Sequence, residues 1–165
     1  MSSYTIESKL HDVYGVSLKE MAEIVIDQQS KYNSYTIPEA ISAILKVTSK
    51  KEVIHAYQVA FLLDEYAEYS KDLVANENDL GDLTKILIAD DPLFGVDETI
   101  AMSMSGLYGS IATTNYGYLD KAKPGVIGRL NDMGKSGELV TTMIDDVVAA
   151  TIACAEAYLS HNATN

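Results

Sequence analysis

The chain has 165 residues, of which 12 are basic and 24 are acidic, and its formal net charge is −12 at pH 7. This length suits one ordinary domain with a core of its own, so residues 1–165 are predicted to fold as a single domain. The negative charge disfavours nucleic-acid binding and attachment to anionic lipid through a basic patch. A lone cysteine excludes an internal disulfide, and the amino terminus lacks the basic start and apolar run of a signal peptide, so a cytoplasmic protein is expected.

Helix signals recur along the whole chain. Apolar residues at helical spacing follow three predicted capping boxes, which pair Ser17 with Glu20, Thr36 with Glu39 and Ser49 with Glu52. No two alternating apolar runs are joined by a hairpin turn, so strands have little support. The predicted helices cover about residues 5–14, 18–32, 37–48, 50–70, 80–89, 96–112, 124–132 and 138–161. The sequence therefore predicts an all-α, single-domain antiparallel bundle of about seven to eight helices.

Two connections separate these helices. Residues 70–79 look like a plain polar connection, whereas residues 113–125 are rich in hydrogen-bonding side chains and end where Pro124 can begin a helix. The second segment is therefore predicted to be a ligand-holding loop. No transmembrane helix is predicted, because the longest uncharged run, residues 99–119, is full of Ser, Thr, Gly and Asn.

The last predicted helix is apolar on every side, yet it contains acidic residues. From Leu139 to Ala155 the only charged residues are Asp145 and Asp146. A helix with no plainly polar face belongs inside the protein. Buried carboxylates must be paired, protonated or bound to a cation, and the chain contains a single Arg. A bound cation is therefore the favoured explanation.

Further carboxylates complete a candidate metal site. Asp64 and Glu68 are four residues apart and share a helix face, and Asp97 and Glu98 lie on another predicted helix. Together with the pair at 145–146 they would form an oxygen-rich cage suited to Mg²⁺, with Mn²⁺ as a substitute. Zinc is a poor candidate because the three histidines are scattered and no cysteine pair exists.

Other polar residues are either candidates to bind a ligand beside the metal or residues expected to face solvent. In the predicted loop, Asn115, Lys121 and Lys123 are candidates to bind a phosphate beside the metal. The pair Asp90 and Asp91 precedes a proline at a helix boundary, where turn chemistry alone accounts for acidic residues, so we interpret it as a solvated helix end.

Three motifs give the chain a family resemblance. At residues 94–98, 108–125 and 144–150 it resembles the phosphatidylglycerophosphatase A family, and most of all the short Gram-positive branch labelled low-temperature-requirement C. The likeness extends upstream through residues 51–55 and 63–68. The resemblance implies an all-α fold and Mg²⁺-dependent removal of the terminal phosphate from phosphatidylglycerophosphate.

The resemblance also implies roles for individual residues. Asp97 with Glu98 and Asp145 with Asp146 correspond to the two acidic pairs of the family, and Asn115, Asp120, Lys123 and Pro124 correspond to its central loop. Asp64 and Glu68 match the pattern of the short branch alone. The Gram-negative members are membrane proteins with long apolar helices and a Gly-Thr-rich amino-terminal motif, which this chain lacks. Contact with the membrane is therefore expected to be peripheral at most, at its inner face.

These observations lead to the hypothesis of a metal-dependent phosphatase acting on a phospholipid head group or a phosphorylated small molecule. Asp120 would accept a proton from the attacking water or orient Lys123, and both roles stay open. An all-α nucleotide pyrophosphohydrolase is one alternative, although its paired Glu-x-x-Glu helices are not evident. A non-catalytic helical metal-binding or interaction protein is another. A homo-oligomer is compatible with the many tyrosines.

Overall fold

Nine α-helices and no strand are present in the part of the chain that the computed structural model describes, residues 5–71 and 79–163, with the side chains of 79–82 left aside. The all-α prediction is confirmed, and the helix number is close to the expected one. The helices are α1 (Ile6–Tyr14), α2 (Leu18–Gln29), α3 (Ile37–Thr48), α4 (Lys51–Ser70), α5 (Asp79–Ala89), α6 (Val96–Gly106), α7 (Ser110–Ala122), α8 (Val126–Ser136) and α9 (Ile144–Asn162).

The last helix, α9, is the centre of the bundle. Every residue from Ile144 to Ala157 is buried, and α9 packs against α2, α3, α4, α6, α7 and α8. Its many alanines let neighbouring helices approach closely, and its apolar side chains leave no face for water. Two hydroxyl groups in this core pair with each other, since Tyr57 Oη lies 2.8 Å from Thr151 Oγ1. The prediction that this helix belongs inside the protein is confirmed.

Capping chemistry sets several helix starts. The boxes at Ser17 and Thr36 are formed as predicted. The third predicted box is wrong: α4 starts after Lys50, which makes no side-chain cap, and Ser49 Oγ instead donates 2.8 Å to Lys46 O. A box that the sequence analysis missed caps α1, where Thr5 pairs with the side chain of Ser8 instead of a Glu.

The predicted ligand loop at residues 113–125 is wrong, because most of it is helix α7. Ala112, Tyr116 and Leu119 are buried at helical spacing, so the polar residues between them lie on the other faces of a helix. The break between α6 and α7 falls earlier, where Gly109 adopts φ 89°. The high polarity of the segment concealed its helical period.

Smaller differences concern the later helix ends. Helix α8 runs to Ser136, beyond the predicted end, and α9 begins at Ile144 because residues 138–143 form a separate connection, which is buried from Val140 onward. The predicted connection at 70–79 lies mostly outside the described residues. No helix in the described part of the chain is long and apolar enough to span a bilayer.

Candidate active site

Asp64 caps the amino terminus of the central helix from outside that helix. Its Oδ2 accepts hydrogen bonds of 3.0 Å from both Met143 N and Ile144 N, and its Oδ1 lies 3.1 Å from Met143 N. These amides are among those that a helix start leaves without intrahelical partners. Burial raises the pKa of Asp64, and the two backbone N–H groups oppose that rise. The side chain is therefore engaged in holding α9.

Glu68, one helical turn further along α4, holds the connection that leads into α9. Its Oε2 accepts a 2.8 Å hydrogen bond from Val140 N and forms an ion pair with Lys71 Nζ at 2.7 Å. Further on, Thr141 Oγ1 donates 2.8 Å to Leu130 O and Thr142 Oγ1 donates 2.6 Å to Leu87 O. The start of α9 is thus fixed by contacts with α4, α5 and α8.

These contacts correct the predicted cage. Asp64 and Glu68 do not line the cleft that gathers the other four predicted ligands. Their oxygens are bonded to backbone amides of the connection and of the helix start. Both residues therefore position the acidic pair at 145–146 indirectly, by binding the backbone that precedes it.

The other predicted ligands meet in one open cleft of about 550 Å³. Three helix ends and the connection between α5 and α6 form its walls, with α8 on one side. Its lining residues are Asp90, Asp91, Pro92, Gly95, Asp97, Glu98, Asp120, Lys121, Lys123, Asn131, Lys135, Asp145 and Asp146. The structure therefore brings together all but Asp64, Glu68 and Asn115 of the predicted site residues.

Lys123 connects the acidic side chains of this cleft. Its Nζ lies 2.9 Å from Asp120 Oδ1, 2.9 Å from Asp145 Oδ2 and 3.7 Å from Asp146 Oδ1. Burial lowers the pKa of Lys123, but Asp145, Asp120 and Asp146 more than reverse that effect and raise it. The lysine is therefore held in its charged form.

Lys123 offsets only part of the cost of burying two neighbouring carboxylates at the start of α9. Burial raises the pKa of both Asp145 and Asp146; the charge of Asp145 raises that of Asp146 further, and Lys123 opposes both shifts. Buried Asp146 Oδ1 has no hydrogen-bond partner among the described residues. A buried carboxylate oxygen without a donor is costly, so this position favours a proton or a cation.

Asp97 forms the opposite wall of the cleft. It lies in the first turn of α6, where its Oδ1 accepts a 2.9 Å hydrogen bond from Glu98 N. Burial raises the pKa of Asp97, and the charges of Glu98 and Asp90 add to the rise. Glu98 itself is exposed at the mouth of the cleft.

Two acidic residues of this site were not predicted from the sequence. Asp90 and Asp91, interpreted as a solvated helix end, line the cleft. Asp90 adopts φ 49° and Asp91 Oδ1 accepts a 2.8 Å hydrogen bond from Leu93 N, so a tight turn directs the chain back toward Asp97. The Asp-Asp-Pro-x-x-Gly spacing before Asp97 was the available signal. Asn131 and Lys135 on α8 were also missed, and no motif pointed to them.

Asn115 is directed away from the cleft. Its Nδ2 donates 2.6 Å to Glu156 Oε2 in the core between α7 and α9. In a helix, position 115 is about 140° around and about 7.5 Å along from position 120, so the two side chains diverge. The phosphate-binding role predicted for Asn115 rested on the family motif and on a loop, and the segment is helix α7 instead of that loop.

The packing of α8 against Lys123 depends on Gly128. Lys123 ends α7 in the left-handed region, with φ 46°, and its N–H donates 2.7 Å to Leu119 O. A Cβ added at Gly128 would overlap the backbone oxygen of Lys123. The absence of a side chain at Gly128 therefore allows the turn that aims Lys123 into the cleft.

The substitution Gly128→Ala is expected to lower the free energy of unfolding by about 1–3 kcal/mol, because the backbone at Lys123 must move. Urea denaturation measures the change. Gly117→Ala is the matched control: that glycine is also helical, and an added Cβ meets nothing within 4 Å. The control should be neutral or more stable by up to about 1 kcal/mol. Equal stabilities for the two variants would contradict the proposed close packing.

The Asn115 and Glu156 pair also yields a pH prediction. Burial raises the pKa of Glu156 from 4.5 to about 8, and Asn115 lowers it only in part. The folded state therefore holds this proton more tightly than the unfolded state. The resulting stability is fully present below about pH 4.5 and is lost as the pH rises to about 8, at up to about 1.4 kcal/mol per pH unit.

Glu156→Gln keeps an acceptor for Asn115 but does not titrate, so its unfolding free energy should fall less than that of the wild type between about pH 5.5 and about pH 8, by roughly 1–3 kcal/mol. Urea denaturation at the two pH values gives the difference. Glu138→Gln, at an exposed position, should follow the wild type. Parallel pH profiles for wild type and Glu156→Gln would show that Glu156 does not hold a proton.

Within residues 5–71 and 79–163, no three His, Cys, Asp or Glu side chains are arranged closely enough to hold a metal ion by themselves. The ammonium of Lys123 instead lies among the carboxylates. Mg²⁺ commonly takes only one or two carboxylates, with waters and a substrate phosphate as its other ligands. The donor types therefore suit Mg²⁺ or Mn²⁺, whose presence stays a prediction.

The molecule is thus an all-α domain whose buried central helix begins in an acidic cleft containing one ion-paired lysine. The chain belongs to the phosphatidylglycerophosphatase A family, whose model matches residues 34–161. That range includes every residue that lines the cleft. The resemblance inferred from the motifs is confirmed, and this finding favours the phosphatase hypothesis over a nucleotide pyrophosphohydrolase.

Similar proteins support the same assignment. The uncharacterized protein YutG of Bacillus subtilis is 41% identical over 150 residues, which cover 90% of this chain and 85% of that protein. The low temperature requirement C protein of Listeria monocytogenes has a solved structure with a TM-score of 0.82 and 36% identity, covering 94% of this chain and 92% of that one. A Bacillus stearothermophilus protein of unknown function gives a TM-score of 0.83 at 39% identity, covering 95% and 97%.

Proposed function

We propose that the protein is a Mg²⁺-dependent phosphatase that removes the terminal phosphate of phosphatidylglycerophosphate to give phosphatidylglycerol. The observation that carries this proposal is the convergence of Asp97, Asp145 and Asp146 with the Asp120–Lys123 pair in one cleft of a family member. Phosphate transfer needs positioning and charge neutralisation more than covalent chemistry. This cleft contains groups suited to both tasks.

The acidic walls are the proposed cation site. Asp146 offers a buried oxygen without a hydrogen-bond partner among the described residues. Asp145 and Asp97 supply further oxygen donors within the same cleft, with Glu98 at the mouth. When bound, Mg²⁺ would supply Lewis-acid stabilisation of the charge on the phosphoryl oxygens. The ion would also relieve the repulsion that raises the pKa of Asp146.

Lys123 is the proposed phosphate ligand. Its ammonium is half-buried and charged, so its interaction with a phosphoryl oxygen is screened less by water than that of a surface lysine. Asp120, 2.9 Å away, holds it in place and is also a candidate to accept a proton from the attacking water. Lys121 and Lys135 at the mouth add positive charge that attracts a phosphate monoester.

Phosphate release tests the proposal directly. Wild-type protein should release phosphate from phosphatidylglycerophosphate in mixed micelles with Mg²⁺ and lose that activity with a chelator. Asp146→Asn should lower kcat by about a hundredfold or more, because it removes charge from the cation site. The control Asp132→Asn lies on α8 at an exposed position outside the cleft lining and should keep wild-type activity.

A soluble aryl phosphate, assayed in parallel, separates a lipid phosphatase from one that acts on small phosphomonoesters. Release from the soluble compound alone would correct the substrate and retain the chemistry. Wild type and Asp146→Asn equally inert on both compounds would contradict the proposal and leave the non-catalytic alternative. Thermal melting of each variant shows that a lost activity is not a lost fold.

A further inference from the structure

The connection between α5 and α6 places an apolar tip at the edge of the cleft. Leu93 is 92% exposed, and Val96, at the first position of α6, is 42% exposed. Pro92 and Gly95, on either side of Leu93, line the cleft itself. Single exposed apolar residues are common on protein surfaces, so the informative feature of Leu93 is its position at the edge of the cleft, where covering it with an apolar surface would be favourable.

The backbone of this connection is fixed, so the exposure of Leu93 is a built feature of the turn. Asp91 Oδ1 accepts the Leu93 N–H at 2.8 Å, and Asp91 O accepts the Phe94 N–H at 2.9 Å. Phe94 packs against the hydrophobic core, which anchors the turn from below. The side chain of Phe94 is therefore held against the core, and that of Leu93 extends into solvent.

We infer that Leu93, with Val96 beside it, inserts into the surface of a phospholipid bilayer and so brings the cleft to a lipid head group; this inference rests on the proposed function. Two observations favour a lipid surface over other occupants. The tip borders the opening through which a membrane-bound phosphate monoester must enter. Exposed Lys121 and Lys135 lie at the same opening, where they supply local positive charge for head-group phosphates beside the carboxylates that line the cleft.

This mode of attachment also agrees with the rest of the molecule. A net charge of −12 opposes adsorption of the whole surface to an anionic membrane. No helix in the described ranges can span a bilayer. Contact through one apolar turn and two local lysines is the form of membrane binding that we infer at the cleft, and it is reversible because it buries few side chains.

A tryptophan reporter tests the inference, since the chain contains no natural tryptophan. Leu93→Trp places the probe at the tip, and Leu62→Trp places it at a second exposed leucine, 66% exposed on α4 and outside the cleft lining. Vesicles of equal parts phosphatidylcholine and phosphatidylglycerol should shift the emission of Leu93→Trp to shorter wavelength and leave Leu62→Trp unchanged. No shift in either variant, or equal shifts in both, would overturn the inference.

Vesicle sedimentation of protein without the tryptophan reporter gives an independent result. Leu93→Asp should lower the vesicle partition coefficient about tenfold or more, because it replaces an inserted leucine by a charge, whereas Leu62→Asp should bind like the wild type. Equal binding by all three proteins would overturn the inference. Because these vesicles contain no phosphate monoester, a failure of docking is distinguished from a failure of the phosphatase chemistry.

A second copy of the chain is the competing occupant of the tip. It would give a dimer mass in light scattering, together with a short-wavelength emission of Leu93→Trp before any vesicle is added. That outcome would overturn the inference. A monomer whose Leu93→Trp emission matches that of an exposed tryptophan until vesicles are added supports it.

Discussion

Two adjacent carboxylates, Asp145 and Asp146, begin a helix that is otherwise buried among apolar residues. Their charges cannot be left unpaired, because moving an ion out of water costs several kcal/mol even after the protein relaxes. Lys123 compensates for part of this cost from the end of α7, and Asp120 holds Lys123 in position. Compensation is incomplete at Asp146, and that shortfall is the physical basis of the proposed cation site.

The rest of the bundle fixes where this charged cluster lies. Asp64 caps the start of α9, Glu68 holds the connection before it, and Gly128 admits the turn that carries Lys123. The first two contacts join α4 to the start of α9 and to the connection before it, and the third lets α8 pack against the end of α7. Contacts of this kind hold the residues of a site in place without touching the substrate. Residues that looked like ligands in the sequence therefore serve the site through the backbone.

Much of this arrangement could be predicted from the sequence. The apolar surroundings of Asp145 and Asp146 predicted a buried helix whose carboxylates need a compensating positive charge. The family motifs associated the pair with Asp97, Asp120 and Lys123. Those predictions depend on composition and local spacing, which a sequence contains.

Other features depend on helix phase and chain crossing, which spacing does not reveal. Asn115 was assigned to a loop, and its position on α7 directs it to Glu156. Asp64 and Glu68 share a helix face as expected, but the backbone before α9 lies over that face and takes up their oxygens. Asp90 was missed because only the fold shows that its turn returns to the cleft.

The proposed function depends on binding of a divalent cation by Asp97, Asp145 and Asp146 in the cleft at the start of α9. The most direct measurement is an anomalous difference map from a crystal of the wild-type protein soaked with Mn²⁺. We expect one or two peaks between the carboxylates at 97–98 and 145–146, with Lys123 displaced from at least one of its partners. A cleft that stays without a peak while Lys123 keeps its ion pairs, or a peak between Asp64 and Glu68 instead, would contradict it.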